Sequence, residues 1–197
     1  MTFLIGLTGS IGMGKSTTAR QFEAEGCAVW DADAAVHRLY AKGGAAVPAM
    51  ADAFPGAVID GAVSRDALKS IISKDPQALR RIEQIVHPLV AQDRAAFIAA
   101  TGAEIVVLDI PLLFETGGDA RVDATVCVSI DAATQKKRVM SRGTMSEDQF
   151  AAILAKQMPD AEKRARADYV IFTDTPESAA QQVRAVLADI RRRMTHA

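Results

Sequence analysis

The sequence predicts an α/β fold of three layers: a parallel sheet with helices on both of its faces. Three observations carry this expectation. Short apolar runs rich in β-branched residues alternate with helix-forming stretches along the whole chain. Those runs are apolar at consecutive positions, the mark of strands covered on both sides. The first of them runs straight into a glycine-rich octapeptide that opens a helix.

Five strands are expected. Phe3–Thr8 is the first, followed by helix formers over 15–25, and Cys27–Trp30 is the second. Glu104–Asp109 is the third, with Ile105-Val106-Val107-Leu108 apolar without a break, and residues 124–130 and 168–172 supply the last two. Helices between strands imply right-handed crossovers. Asp75-Pro76 and Thr175-Pro176 each read as an N-cap followed by proline at the first helical position. Ser146 to Gln149 has the spacing of a capping box, and Pro88 disfavours helix at His87, marking a boundary there.

Two segments exceed a minimal crossover. About 70 residues, roughly 34–103, separate the second and third strands and read as several helices beside the sheet. Residues 136–166, rich in Lys and Arg around Gly143, read as a helical lid. Both follow strands, so both rise at the carboxyl edge of the sheet, where open α/β folds bind ligands. The core then comprises 1–33, 104–135 and 167–197 of a single domain.

The 197 residues suffice for one hydrophobic core. Apolar residues are 49 % and charged residues 24 %, the balance of a globular protein. A net charge of −1 gives no global positive field, which argues against nucleic acid as a partner. No apolar run is long enough for a membrane span and no leader precedes the first strand, so a cytoplasmic protein is expected. Cys27 and Cys127 read as reduced, buried thiols. The sequence does not specify an oligomeric state, and a monomer is compatible with it.

Gly9-Ser10-Ile11-Gly12-Met13-Gly14-Lys15-Ser16 fits G-x-x-x-x-G-K-[ST], with Thr17 next. Glycines let the backbone turn successive N–H groups toward phosphate oxygens at the positive end of the following helix. Lys15 would reach the β- and γ-phosphates and the Ser16 hydroxyl would complete a Mg²⁺ shell. Gly12, Met13, Gly14, Lys15, Ser16 and Thr17 are thus the expected nucleotide contacts. The chain contains no asparagine, so the Asn-Lys-x-Asp reader of guanine is absent and ATP is favoured.

After the second strand comes Asp31-Ala32-Asp33, two carboxylates that either act as base or Mg²⁺ partner or cap the next helix. Arg138 and Arg142, four apart, share one helix face suited to phosphate, whereas Lys136 and Lys137 read as a solvated face. Asp109 ends the third strand and either holds Mg²⁺ through water or bonds the loop as a structural carboxylate. Glu115 presents the same choice. His87 either contacts substrate or is a buried hydrogen-bonding histidine, and Arg65 is a candidate partner for an acceptor phosphate. His37 reads as structural, and His196 belongs to a frayed tail.

These residues resemble the dephospho-CoA kinase family. The matching pieces are Ile5-Gly6-Leu7-Thr8-Gly9, Asp31-Ala32-Asp33 with His37, Ser64-Arg65-x-x-Leu68, His87-Pro88-Leu89 and Asp109-Ile110-Pro111-Leu112-Leu113-Phe114-Glu115. Thr134-Gln135-x-x-Arg138 with Arg142, and Gln157, complete the set in the family's order. Ser10, Gly143 and Trp30 depart from it, standing where the family often has glycine, an acidic residue and an aliphatic one.

The resemblance implies a P-loop kinase core with a five-stranded parallel sheet, a helical CoA-binding region and a lid. It implies transfer of the γ-phosphoryl group of ATP to the ribose 3′-hydroxyl of dephospho-CoA, the final step of coenzyme A biosynthesis, with Mg²⁺. By position Asp33, Lys15 and Arg142 match catalytic residues, and Arg138 and Arg142 match lid arginines on ATP. Asp33, His37, Arg65, His87, Leu112 and Glu115 match substrate contacts, and Ser16 and Asp109 match metal partners. Residues 172–176 are candidates for adenine contacts. Two rival functions share the loop: another small-molecule kinase, such as a nucleoside monophosphate kinase, and a non-enzymatic ATP-gated regulatory module.

Overall fold

A computed structural model of the protein describes residues 2–195, so His196 lies outside the described residues. The chain divides into two compact units, one formed by 1–30 with 102–197 and the other by 31–101.

The first unit is built on five strands: β1 (Phe3–Thr8), β2 (Ala28–Asp31), which runs one residue past the unit boundary, β5 (Ile105–Asp109), β6 (Ala124–Ser129) and β7 (Tyr169–Phe172). Their order in the sheet is β2-β5-β1-β6-β7, and the sheet is parallel. Ile5 registers with Val107 on one side and Ala124 on the other, and Val128 registers with Ile171. Because side chains alternate along a strand, Ile5, Leu7, Val107, Val126, Val128 and Ile171 share one buried face. Helices α1 (Lys15–Ala24) and α9 (Pro176–Thr195) cover it with Phe22, Val183, Leu187 and Ile190. On the other face, helix α8 (Asp160–Arg166) packs on β6. A Cβ at Gly6 would lie 2.7 Å from Leu113, so the chain after β5 presses directly on that face. Helices α6 (Ala132–Ser141) and α7 (Glu147–Lys156) complete the unit.

The strand boundaries agree with the sequence to within a residue or so, but Cys27 precedes β2 rather than lying in it. Both cysteines are buried and unpaired. Burial pushes their thiols up, to about 11 at Cys27 and about 12 at Cys127. Two helix starts are as read. Thr175 Oγ1 accepts from the Ser178 N–H at 3.1 Å ahead of Pro176, and Ser146 and Gln149 form a reciprocal capping box.

The second unit contains α2 (Ala32–Tyr40), α3 (Val47–Ala53), α4 (Arg65–Lys74) and α5 (Ala78–Ala100), packed around Leu39, Met50, Phe54, Leu68, Ile82 and Val86. Three expectations are corrected here. The segment is not all helix: β3 (Val58–Ile59) and β4 (Ala62–Val63) form an antiparallel hairpin. Its turn is Asp60-Gly61, both at positive φ (51° and 80°), the Asp-Gly combination that a two-residue hairpin demands. Asp75-Pro76 does not start a helix. Asp75 caps the end of α4, its carboxylate accepts from the Gln77 N–H at 2.9 Å, and α5 begins at Ala78.

Nor is His87-Pro88 a boundary, because Pro88 lies inside the 23-residue α5. A proline removes the N–H that would bond the carbonyl four residues back. That residue, Gln84, and Pro88 are both exposed, so water can solvate the lost acceptor, while Ile82 and Val86 keep the buried stripe continuous.

Candidate active site

The phosphate loop joins β1 to α1. Gly14 is the N-cap of α1 in the left-handed conformation, with φ 94°, and Gly12 has φ 79°. A side chain at either would also clash: a Cβ would sit 2.5 Å from Val139 at Gly12 and 3.0 Å from the Thr173 hydroxyl at Gly14. Glycine is therefore required by backbone conformation and by close approach alike. The helical ladder of α1 starts with the Thr18 N–H on the Gly14 carbonyl, 3.1 Å. The N–H groups of Lys15, Ser16 and Thr17 consequently have no acceptor within the helix, and they carry the positive end of its dipole. Ser16 and Thr17 are exposed.

Lys15 Nζ forms an ion pair with Asp109 Oδ1. Asp109 is 2 % exposed at the end of β5, beside β1 in the sheet, so strand order places this carboxylate next to the loop lysine. Arg138, on α6, donates to the Thr173 hydroxyl (2.9 Å) and to its carbonyl (2.6 Å), just past β7. Arg138 and Arg142 line one cavity of about 290 Å³ with Gly14, Thr17, Thr173, Thr175 and Pro176. Arg142 follows the last turn of α6 as its C-cap and is exposed. Lys136 pairs with Glu147 at 2.8 Å and Lys137 is exposed.

Glu115 lies in the turn that follows β5. Its Oε1 accepts from Lys163 Nζ at 2.9 Å and from the Met158 N–H at 2.8 Å. Lys163 is fully buried and also donates to the Pro111 carbonyl at 3.1 Å. Burial alone would raise the Glu115 carboxyl, but the bonds from Lys163 and Met158 outweigh it and hold the group below its ordinary range. Leu112, in the same turn, is 41 % exposed.

The remaining candidates lie in the second unit, considered on its own. Asp31 is the N-cap of α2, accepting from the Ala34 N–H at 2.9 Å. Asp33 is exposed in the first turn of α2 and His37 is exposed on its last. Arg65, the first residue of α4, is exposed and holds its guanidinium 6.0 Å from the Tyr40 ring. His87 is exposed on α5, so the buried alternative for it does not hold.

Three side chains shape the loop in a way the sequence does not announce, although Thr173 lies among the candidate adenine contacts 172–176. Thr173 Oγ1 donates to the Met13 carbonyl at 2.7 Å, Gln135 Nε2 donates to the Ile11 carbonyl at 2.8 Å, and Gln157 Oε1 accepts from the Ile11 N–H at 3.2 Å. Gln135 and Gln157 were visible only as matching letters. Lys163 sits in the basic run Lys163-Arg164-Ala165-Arg166, where nothing separates the buried lysine from its solvated neighbours.

Comparison with known proteins bears on the whole chain. The chain is 64 % identical over 197 residues to a dephospho-CoA kinase of Ruegeria pomeroyi, covering all of both chains. It is 58 % identical over 189 residues to that of Cereibacter sphaeroides, covering 96 % of each. Among solved structures, a Thermus thermophilus protein superposes with a TM-score of 0.85 at 34 % identity, covering 95 % of this chain and 97 % of that one. A dephospho-CoA kinase from Campylobacter jejuni (TM-score 0.67, 22 % identity, 96 % and 98 % covered) shares the fold. The family model described as dephospho-CoA kinase matches residues 3–178, and with identity of this order along its full length the chain belongs to the dephospho-CoA kinase family.

Proposed function

We propose that this chain transfers the γ-phosphoryl group of ATP to the ribose 3′-hydroxyl of dephospho-coenzyme A, with Lys15, Arg138 and Arg142 neutralising the migrating group and Asp33 taking the proton of the attacking hydroxyl. The observation that carries the nucleotide half is the left-handed Gly14 turn, which leaves the amides of Lys15 to Thr17 open beside an ammonium group.

Phosphoryl transfer asks a protein mainly for positioning and charge neutralisation. The loop amides cradle the phosphates. Lys15, paired with Asp109, turns its ammonium to the β- and γ-oxygens, and the guanidinium of Arg142 lines the cavity shared with Gly14 and Thr17. The nucleoside sits toward Thr173, Thr175 and Pro176, which line the same cavity. One hydroxyl and one buried carboxylate, Ser16 and Asp109, suit Mg²⁺, which takes one or two protein ligands and completes its octahedron with phosphates and water. An ion held by Ser16 and Asp109 would supply charge neutralisation to the phosphates.

Asp33 is assigned the base because it matches by position the family's catalytic carboxylate. It follows the last residue of β2 by two, and the Asp31 carboxylate beside it is occupied by the Ala34 N–H. Arg65 and His87 are assigned to the acceptor, as exposed polar groups of the second unit. Glu115 serves instead as an anchor for Lys163.

The test is ADP release from ATP and Mg²⁺ with dephospho-CoA, set against AMP, CMP and shikimate. Turnover with dephospho-CoA alone is expected; preference for another acceptor would replace the reading, and turnover with none would make the chain a binding module. Asp33→Asn should lower kcat by roughly 10²–10⁴ with ATP affinity little changed. Near-normal turnover in that variant would remove Asp33 from the mechanism.

A further inference from the structure

The phosphate loop is fastened at a residue that neither its motif nor its chemistry specifies. Both peptides flanking Ile11 are bonded to glutamine side chains from different parts of the first unit. The Ile11 N–H donates to Gln157 Oε1 at 3.2 Å, and the Ile11 carbonyl accepts from Gln135 Nε2 at 2.8 Å. Gln135 lies on α6 and is 5 % exposed. On that side the loop is pressed onto the helix, since a Cβ at Gly12 would come within 3.2 Å of the Gln135 carbonyl.

Gln157 follows α7 and opens a strap that is itself tied down. The Met158 N–H and Lys163 Nζ bond Glu115, Lys163 also bonds the Pro111 carbonyl, and Ser129 Oγ donates to Asp160 Oδ2 at 2.8 Å. Residues 157–163 therefore reach the chain just past β1, the chain just past β5, and the last residue of β6.

A loop with glycines at 9, 12 and 14 has many backbone states, and fixing each residue costs conformational entropy. A loop that is ordered before the ligand arrives spares binding that cost. The Ile11 N–H is consumed by Gln157, so it is not one of the donors offered to phosphate. The bond's effect is to fix the turn that aims the amides of Lys15, Ser16 and Thr17.

We infer that Gln135 and Gln157 are positioning residues that pre-order the phosphate loop by clamping Ile11 from α6 and from the strap, and so set nucleotide affinity. The inference rests on the reading of residues 9–16 as the triphosphate site.

The test uses the full-length protein and four variants, Gln135→Met, Gln157→Leu, their double and Lys15→Ala. ADP affinity is measured by calorimetry with Mg²⁺, alongside KM for ATP, KM for dephospho-CoA, kcat and Tm. Each glutamine variant should weaken ADP and raise KM for ATP about tenfold, the equivalent of 1.4 kcal/mol and the size of one lost hydrogen bond that leaves its partner orphaned. KM for dephospho-CoA should stay within about twofold. The double variant should resemble the worse single one, because both bonds restrain one loop. Should Gln135→Met fail to fold, the less buried Gln157→Leu decides alone.

Unchanged ADP affinity in the folded glutamine variants, with Lys15→Ala weakened, overturns the clamp and leaves the triphosphate site standing. Equal rises in both KM values with a fall in kcat and Tm also overturn it, since that is general loosening. Unchanged affinity in Lys15→Ala overturns the site itself.

Discussion

Replacing Lys163 by methionine tests how much of the first unit depends on one buried ion pair. Lys163 is 0 % exposed and Glu115 is 17 % exposed, so solvent screens neither charge well. The substitution keeps an unbranched side chain one atom shorter and removes the ammonium. Glu115 then loses its counter-charge and keeps backbone N–H donors such as that of Met158, and the Pro111 carbonyl loses its donor. Removing one partner of a buried pair costs about 3–5 kcal/mol, because an uncompensated charge remains. For a chain of this size each kcal/mol moves Tm by about 2–4 °C, so a fall of roughly 6–20 °C is expected at pH 7.

The pH dependence fixes the cause. The folded Glu115 carboxyl lies below its ordinary range, so its stabilisation is present above the unfolded value and disappears as pH falls through the folded one. In Lys163→Met the carboxylate should protonate more readily than in the unfolded chain, which relieves the penalty in acid. The Tm gap between wild type and variant should therefore narrow as pH drops from 7 to about 4. Adding Glu115→Gln should recover part of the loss at neutral pH. A gap under about 2 °C, or one constant with pH, would refute the reasoning.

Lys15→Ala should weaken ATP binding and lower kcat together, read by calorimetry and steady-state turnover; unaltered affinity and rate would remove the lysine from the triphosphate site. Gly14→Ala forces a Cβ to within 3.0–3.2 Å of Thr173 at φ 94°, so nucleotide affinity should fall at least tenfold while the far-UV spectrum is kept. A tight-binding Ala variant would show that the turn is not needed. Cys27 and Cys127, raised to about 11 and about 12, should not react with a thiol reagent in the native protein at pH 8, whereas both should react in denaturant. Rapid native labelling would contradict their burial.

The sheet was legible because burial on both faces writes itself as unbroken apolar runs: all four residues from Ile105 to Leu108 are buried, as are Ala124 to Ser129. The second unit was less so. Strands of two residues such as Val58-Ile59 and Ala62-Val63 are too short to show period, and the Asp60-Gly61 turn between them was the one available signal. Pro88 misled for a different reason. A local rule worth about 3 kcal/mol was overridden by the apolar stripe of α5, at a point where the lost bond faces water.

The same distinction separates the two kinds of site residue. Gly12, Gly14, Lys15 and Ser16 are legible because a phosphate ligand constrains residue type and spacing within a single turn of chain, and no fold-level freedom remains. Gln135, Gln157 and Lys163 satisfy a tertiary requirement instead: something must meet the Ile11 N–H and carbonyl and the Glu115 carboxylate, from 146, 124 and 48 residues away in sequence respectively. Any side chain of suitable length and polarity meets that need, so residue type alone does not announce it. Burial decides. A glutamine at 5 % exposure and a lysine at 0 % incur a desolvation cost that only defined partners offset, and those partners are the phosphate loop and the turn that follows β5.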